Sequence, residues 1–195
     1  VADAAGTVTG WGKNDSQQTQ APTELSGVAA IAAGDSHSLA LTSQGTVVAW
    51  GGNADGQATV PEGLSGVTAV AASGNNSLAL GADGTVRAWG KLLPPPANLS
   101  NVVAIAAGIS HGLALRKDGT VVSWGNQTNA PVDATNVVAI SAGGGHCLAL
   151  RMDGRVVAWG DNTFRQAEVP AGLSNVIAIA AGGDHCLALK QDGTV

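Results

Sequence analysis

Residues 110–125 read SHGLALRKDGTVVSWG, and the fold turns on how Ser110, His111 and Asp118 are understood. A serine beside a histidine, with an aspartate seven residues on, resembles the parts of a hydrolytic triad. The same residues also suit an ordinary β-structure. The rest of the chain decides, because the stretch is one copy of a repeat. The five tryptophans Trp11, Trp50, Trp89, Trp124 and Trp159 lie 39, 39, 35 and 35 residues apart, and each is followed by glycine. Thirteen residues before the last four stand His37, Asn76, His111 and His146, and His185 is a fifth copy of that slot. A repeat of this period is the signature of stacked supersecondary units.

The repeat tests the triad. Its serine slot holds Ser36, Asn75, Ser110, Gly145 and Asp184; its aspartate slot holds Gln44, Asp83, Asp118, Asp153 and Asp192. The histidine slot accepts Asn76. A nucleophile, base and orienting group must converge in one place, yet here the three types vary independently and all four histidines belong to the repeat. The expectation is a non-enzyme in which the histidine bonds to backbone or caps a turn, work that asparagine also does. Cys147 and Cys186 share one slot with Ser38, Ser77 and Gly112, so they read as small packed residues. Equivalent atoms of neighbouring units lie too far apart for a disulfide, and two cysteines do not make a zinc site. No metal or cofactor is expected.

Within a unit, Val102–Ala107 (VVAIAA) is a short apolar run expected to be a strand covered on both faces. Leu113-Ala114-Leu115 alternates large and small residues. Val121 to Trp124 is β-branched and ends in an aromatic. Asp-Gly between the second and third segments is a tight-turn signal joining antiparallel strands. Such a meander is too thin to bury its own faces, so units must pack on one another. Radial packing gives an all-β propeller of five blades, a single domain over 1–195. The units run about 13–50, 52–89, 91–124, 126–159 and 161–195, the last completed by residues 1–12. Closure is expected through pairing of residues 6–12 with the strand around Leu187–Lys190, leaving Val195 displaced at the edge. A linear β-solenoid is the competing arrangement.

Composition narrows the partner. Hydrophobic residues make up 45% of the 195, with one Phe and no Tyr, so the interior is aliphatic plus tryptophan. The net charge is −5 with no basic run, which repels a phosphate backbone and argues against nucleic acid. No apolar run approaches the ~20 residues needed to span a bilayer. No charged segment followed by an apolar one marks a signal peptide; a secreted location is the favoured expectation, as a form whose leader has been removed.

AGISHGLALRKDGTVVSWG and its copies resemble the repeat of the regulator of chromosome condensation family. The resemblance covers essentially the whole chain and implies a β-propeller. The VPxGL linkers at Val60–Leu64 and Val169–Leu173 are similar to those of bacterial members, among them a secreted propeller inhibitor of β-lactamases. That relative presents aromatics just before its histidine slot, where this chain has Asp35 and Ser36, Gly74 and Asn75, Ile109 and Ser110, Gly144 and Gly145, and Gly183 and Asp184. The primary expectation is therefore a protein-binding module, monomeric or strand-swapped. A carbohydrate or small-ligand binder and a β-lactamase inhibitor are the alternatives. Loops on a rigid scaffold carry partner choice, and the connections after Trp-Gly (13–24, 52–63, 91–99, 126–134, 161–172) vary most. They supply the candidate contacts Leu92, Leu93, Phe164 and Arg165, with Asn53 and Asp55 as polar ones.

Overall fold

The computed structural model describes residues 6–126 and 130–195. Residues 1–5, part of the expected closing segment, and 127–129, in the fourth variable connection, lie outside it. Four three-stranded antiparallel sheets follow one another, each a sequential meander. They are β1 Val28–Ala33, β2 His37–Thr42 and β3 Val47–Gly51; β4 Val67–Ser73, β5 Asn76–Gly81 and β6 Val86–Gly90; β7 Val102–Ala107, β8 His111–Arg116 and β9 Val121–Gly125; β10 Val137–Ala142, β11 His146–Arg151 and β12 Val156–Gly160. A fifth sheet has two strands, β13 Val176–Ala181 and β14 Cys186–Lys190.

Two glycines per unit explain the register. At the tip between second and third strands, Gly119 has φ 79° and its N–H closes the turn on Arg116 O at 2.9 Å, a conformation only glycine adopts freely. Asp118 caps the same turn by accepting from Thr120 N at 3.0 Å and Thr120 Oγ1 at 2.7 Å. After the tryptophan, Gly125 sits at φ 88°, and a Cβ there would strike the carbonyl oxygen of Ser110. The Gly of each Trp-Gly thus faces the histidine slot across the ladder: His37↔Gly51, Asn76↔Gly90, His111↔Gly125 and His146↔Gly160.

Packing between sheets forms the core. Leu39, Leu78 and Leu113 on the middle strands are fully buried, and Leu148 nearly so. Leu39 and Leu41 of the first sheet cluster with Val67, Ala79 and Trp89 of the second, and equivalent clusters fill the next junctions. Each such leucine contributes roughly 2–3 kcal/mol on removal from water. The first strands differ from expectation. Val103 and Val138 are about half exposed, so these runs are not covered on both faces. Successive first strands touch one another, β1 with β4, β4 with β7, β7 with β10 and β10 with β13. They line one side of the row of sheets, where Val103 and Val138 face outward.

The structure does not show the expected closure: among the described residues β14 pairs with β13 alone, and residues 6–12 belong to no strand. Instead Gly6 O accepts from Val28 N at 3.3 Å, repeating the bonds Gly45 O to Val67 N and Gly119 O to Val137 N. Those bonds tie each turn glycine to the first strand of the next unit. Residues 6–12 therefore stand where the third strand of a unit before β1 would stand, at the opposite end of the row from β14. Trp11, without a sheet of its own, is 86% exposed, and Val195 is exposed at the β14 edge. Among the described residues no helix is long and apolar enough to cross a membrane.

Candidate functional site

The histidine slot is structural wiring between sheets. Ser77 Oγ donates to Gln57 O at 2.8 Å and lies 2.9 Å from His37 Nε2. With its proton committed to Gln57, Ser77 accepts from His37, which fixes that ring as the Nε2–H tautomer. In the next unit Asn76 replaces the ring and donates from Nδ2 to Gly108 O at 2.9 Å and Ile109 O at 2.8 Å. His37, His111 and Asn76 are fully buried. Burial holds the His37, His111 and His146 pKa values below the ordinary 6.5. The tryptophans share the wiring: Trp89 Nε1 donates to the same Gln57 O at 2.9 Å, and Trp50 Nε1 to Gln18 O at 2.9 Å.

The triad residues do not converge. His111 begins β8 and Asp118 lies in the turn beyond its end. Seven residues of near-extended chain separate them, on the order of 20 Å. The Asp118 carboxyl is held below its ordinary range by the Thr120 hydroxyl and N–H. Cys186 Sγ lies 3.1 Å from His146 Nε2 but donates to Gln166 O at 3.2 Å, so the imidazole is not positioned to take its proton. Burial raises the Cys186 thiol and pushes Cys147 up to about 12, the reverse of an activated nucleophile. Both cysteines are free. Among the described residues no three His, Cys, Asp or Glu side chains gather as metal ligands.

One end of the sheets gathers the sequence-variable parts. Gly52 N bonds to Ser36 O, Lys91 N to Asn75 O, Asn126 N to Ser110 O and Asp161 N to Gly145 O. The last four connections after Trp-Gly are thereby pinned beside a turn that precedes the histidine slot. These turns also join one another, through Asp35 N to Gly74 O and Gly144 N to Gly183 O. A groove of about 390 Å³ opens among Asp35, Asn75, Lys91, Leu93, Ile109 and Ser110.

The candidate contacts separate on this face. Leu93 is 67% and Phe164 68% exposed, and Arg165 is a surface residue beside Glu168. Leu92 is withdrawn: it is buried against Trp124 in the junction between the second and third sheets. The connection 91–99 is short, so Leu93 O takes the role of the Gln57 carbonyl and accepts Trp124 Nε1 at 3.1 Å. Leu92, one residue earlier, is drawn inward. Asn53 spends its side chain on its own loop, bonding Ala58 N and Thr59 Oγ1 at 2.9 Å each. Asp55 Oδ2 accepts from Asn75 Nδ2 at 2.7 Å, tying that loop to the neighbouring turn. Ile109, half exposed in the groove, was not among the sequence candidates. Its signal was present, since it is the one large apolar residue in a slot otherwise holding Asp35, Gly74, Gly144 and Gly183.

The regulator of chromosome condensation (RCC1) repeat matches residues 28–57, 67–91, 102–130 and 137–166, more than half of the chain. The protein belongs to the RCC1 repeat family. Its sheets match solved RCC1-type propellers. Prp20p of Saccharomyces cerevisiae, described with its binding properties to Gsp1p and histones, is 27% identical with a TM-score of 0.69, over 85% of this chain and 56% of that one. Human WBSCR16 is 23% identical with a TM-score of 0.72, over 84% of this chain and 58% of that one. The ectodomain of the Physcomitrella patens receptor kinase CR4 is 24% identical with a TM-score of 0.72, over 85% and 49%. This chain spans less than two thirds of each. No curated protein matches. In RCC1 repeat terms, the matched segments begin at the first strand and run past Trp-Gly into the variable connection, so the family pattern covers the wiring and the base of the face above.

Proposed function

We propose that this chain is a non-enzymatic protein-binding module whose contact surface is the face bearing the connections after Trp-Gly and the turns before the histidine slot. The observation that carries the reading is the exposure of Leu93, Ile109 and Phe164 on that face, among Asp35, Asp161 and Asp184. Apolar side chains held open on rigid turns are what a partner can bury. The acidic surroundings select a partner with basic groups around an apolar centre. Prp20p, which shares the fold, is described with protein partners, Gsp1p and histones. The net charge of −5 disfavours nucleic acid itself.

The other readings have less to stand on. An inhibitor of β-lactamases rests on the VPxGL linkers alone, and no aromatic occupies the turns before the histidine slot. A sugar site usually offers several exposed aromatic platforms together, whereas Trp89, Trp124 and Trp159 are buried and the exposed Phe164 and Trp11 lie in different parts of the chain. The deciding experiment is affinity capture from the native source by the wild-type chain and by the Leu93→Ala/Ile109→Ala/Phe164→Ala variant, with purified hits retested by calorimetry. A partner bound by the wild type and lost by the folded variant supports the reading. Hits bound equally by both move the surface elsewhere.

A further inference from the structure

We propose that the groove between Asp35 and Lys91 receives a loop of the protein partner in which an apolar side chain is flanked by one basic and one acidic residue. The inference rests on the reading of this face as the contact surface and names what its centre recognises.

Three departures from the repeat converge there. Ile109 stands two residues before the histidine slot, where the other units carry Asp35, Gly74, Gly144 and Gly183. Leu93 stands four residues after the tryptophan, where Asp15, Ala54 and Thr163 stand in other units. Asn76 replaces histidine. All three line one groove of about 390 Å³ between the second and third sheets. The consensus positions build the sheets, so departures gathered at one surface serve something that the sheets do not require.

The groove is held in shape. Ile109 is clasped between glycines: a Cβ on Gly74 would lie 3.5 Å from its Cγ2, and one on Gly144 would lie 3.5 Å from its Cδ1. The side chain rests on backbone at both sides while staying half exposed. Its N–H bonds to Gly144 O at 3.3 Å, and its carbonyl accepts Asn76 Nδ2 at 2.8 Å. One wall is fixed by Lys91 N on Asn75 O and the other by Asp35 N on Gly74 O, each at 3.0 Å. Leu93 is anchored through its carbonyl on Trp124 Nε1 and is followed by Pro94-Pro95-Pro96, whose preset backbone has little freedom to lose. A partner therefore loses little in ordering these walls.

Charge selects the occupant. Asp35 and Lys91 are exposed, and neither joins an ion pair among the described residues. The neighbouring Asp55 is already committed to Asn75 Nδ2, which leaves Asp35 as the carboxylate lining the groove. An apolar side chain seated on Leu93 and Ile109 expels water from beside both charges, and a charge desolvated without a partner is costly. A segment of one sign leaves one of the two unpaired, and a wholly apolar segment leaves both. The complementary segment brings a cation to Asp35 and an anion to Lys91.

The test is a titration of the 195-residue chain with three capped peptides, followed by amide NMR shifts. The peptides are acetyl-Arg-Leu-Glu-amide, acetyl-Glu-Leu-Glu-amide and acetyl-Arg-Leu-Arg-amide. The mixed peptide should bind with a dissociation constant on the order of 1 mM, roughly tenfold tighter than the other two. Its shifts should centre on Asn75, Lys91, Leu93 and Ile109. Asp35→Lys should move the preference to the Glu-Leu-Glu peptide, and Lys91→Glu should move it to the Arg-Leu-Arg peptide. Both changes are at exposed side chains, so unchanged thermal melts separate loss of binding from loss of fold. Absence of saturable shifts with the mixed peptide overturns the proposal, as do preferences that fail to follow the two charges. If the peptides fail in this way while the Leu93→Ala/Ile109→Ala/Phe164→Ala variant still loses a captured partner, the groove inference falls and the face reading stands. If the peptides follow the charges while that variant keeps every partner, the face reading falls and the groove's preference stands.

Discussion

The imidazole of His111 lies against Gly108 so closely that a methyl group on that glycine would overlap ring atoms Cε1 and Nδ1. The same crowding joins Gly34 to His37, Gly143 to His146 and Gly182 to His185. Where Asn76 replaces the ring, Ser73 replaces the glycine. The two slots are a matched pair, set by side-chain volume. Gly108→Ala should therefore cost about 1–3 kcal/mol by overpacking. In a His111→Asn background the same change should cost less than half as much. His111→Asn alone should stay within about 1 kcal/mol of wild type, its amide donating to Gly143 and Gly144 carbonyls as Asn76 does to Gly108 and Ile109. A double-mutant cycle by urea denaturation measures the coupling. Additive effects would dissolve the pairing.

The indoles allow a separable test of packing and hydrogen bonding. Trp89 is buried and shares Gln57 O with Ser77. Trp89→Phe retains much of the packing and removes the N–H, and should cost about 1–2 kcal/mol. Trp89→Ala should cost about 3–5 kcal/mol. Denaturant melts of the two variants distinguish the contributions; equal losses would mean that the hydrogen bond, not the ring, dominates.

Acid should weaken the fold in two steps. Burial lowers the pKa of His37, His111 and His146 below 6.5, so below that pH the unfolded chain binds protons that the folded chain refuses. Their contribution is complete above pH 6.5 and is lost as pH falls through the lowered folded values. The turn carboxylates act lower. Asp83 and Asp118 are held below 3.8, and Asp192 near about 2, by threonine hydroxyls and N–H groups, so their contribution is lost only as pH falls beneath 3.8. Thermal melts from pH 8 to pH 2 should be flat down to about 6.5, decline below it, and decline again beneath 3.8. The His37→Asn/His111→Asn/His146→Asn variant should flatten the upper step and leave the lower one.

Much of the wiring was legible in the sequence because it is repeated. The turn glycine (after Asp in three complete sheets and after Gln44 in the first) and the glycine of Trp-Gly each take a left-handed conformation at a fixed place, and together they set the register of every complete sheet described. Asn76 in the histidine slot marked it as a place where an amide can take over the ring's hydrogen bonding. What the repeat could not convey is position along the row. Counting residues assigned the Trp11 segment to the last unit, but the Val28 N bond to Gly6 O places it before the first. A count of slots carries no information about whether two ends meet in space. Leu92 and Leu93 were likewise indistinguishable as neighbours. Only the demand of Trp124 Nε1 for the Leu93 carbonyl decides which of them is buried.

The contact face yields the last prediction. Leu93 and Phe164 are each more than 60% exposed, so truncating them removes little packing within the chain. Leu93→Ala and Phe164→Ala should leave the melting temperature within about 2 °C of wild type, as for surface substitutions worth less than ±0.5 kcal/mol. The same changes should weaken a captured partner by about 1–2 kcal/mol each, roughly tenfold. Leu92→Ala should behave in the opposite way. It should lower stability by about 2–5 kcal/mol, by opening the junction beside Trp124, and alter affinity only as far as it disturbs Leu93. Arg165→Ala tests the charge assignment. If the partner is basic, removing this cation should speed association at low salt, and the gain should vanish as salt rises. Slower association on losing Arg165 would mean that the partner surface is acidic.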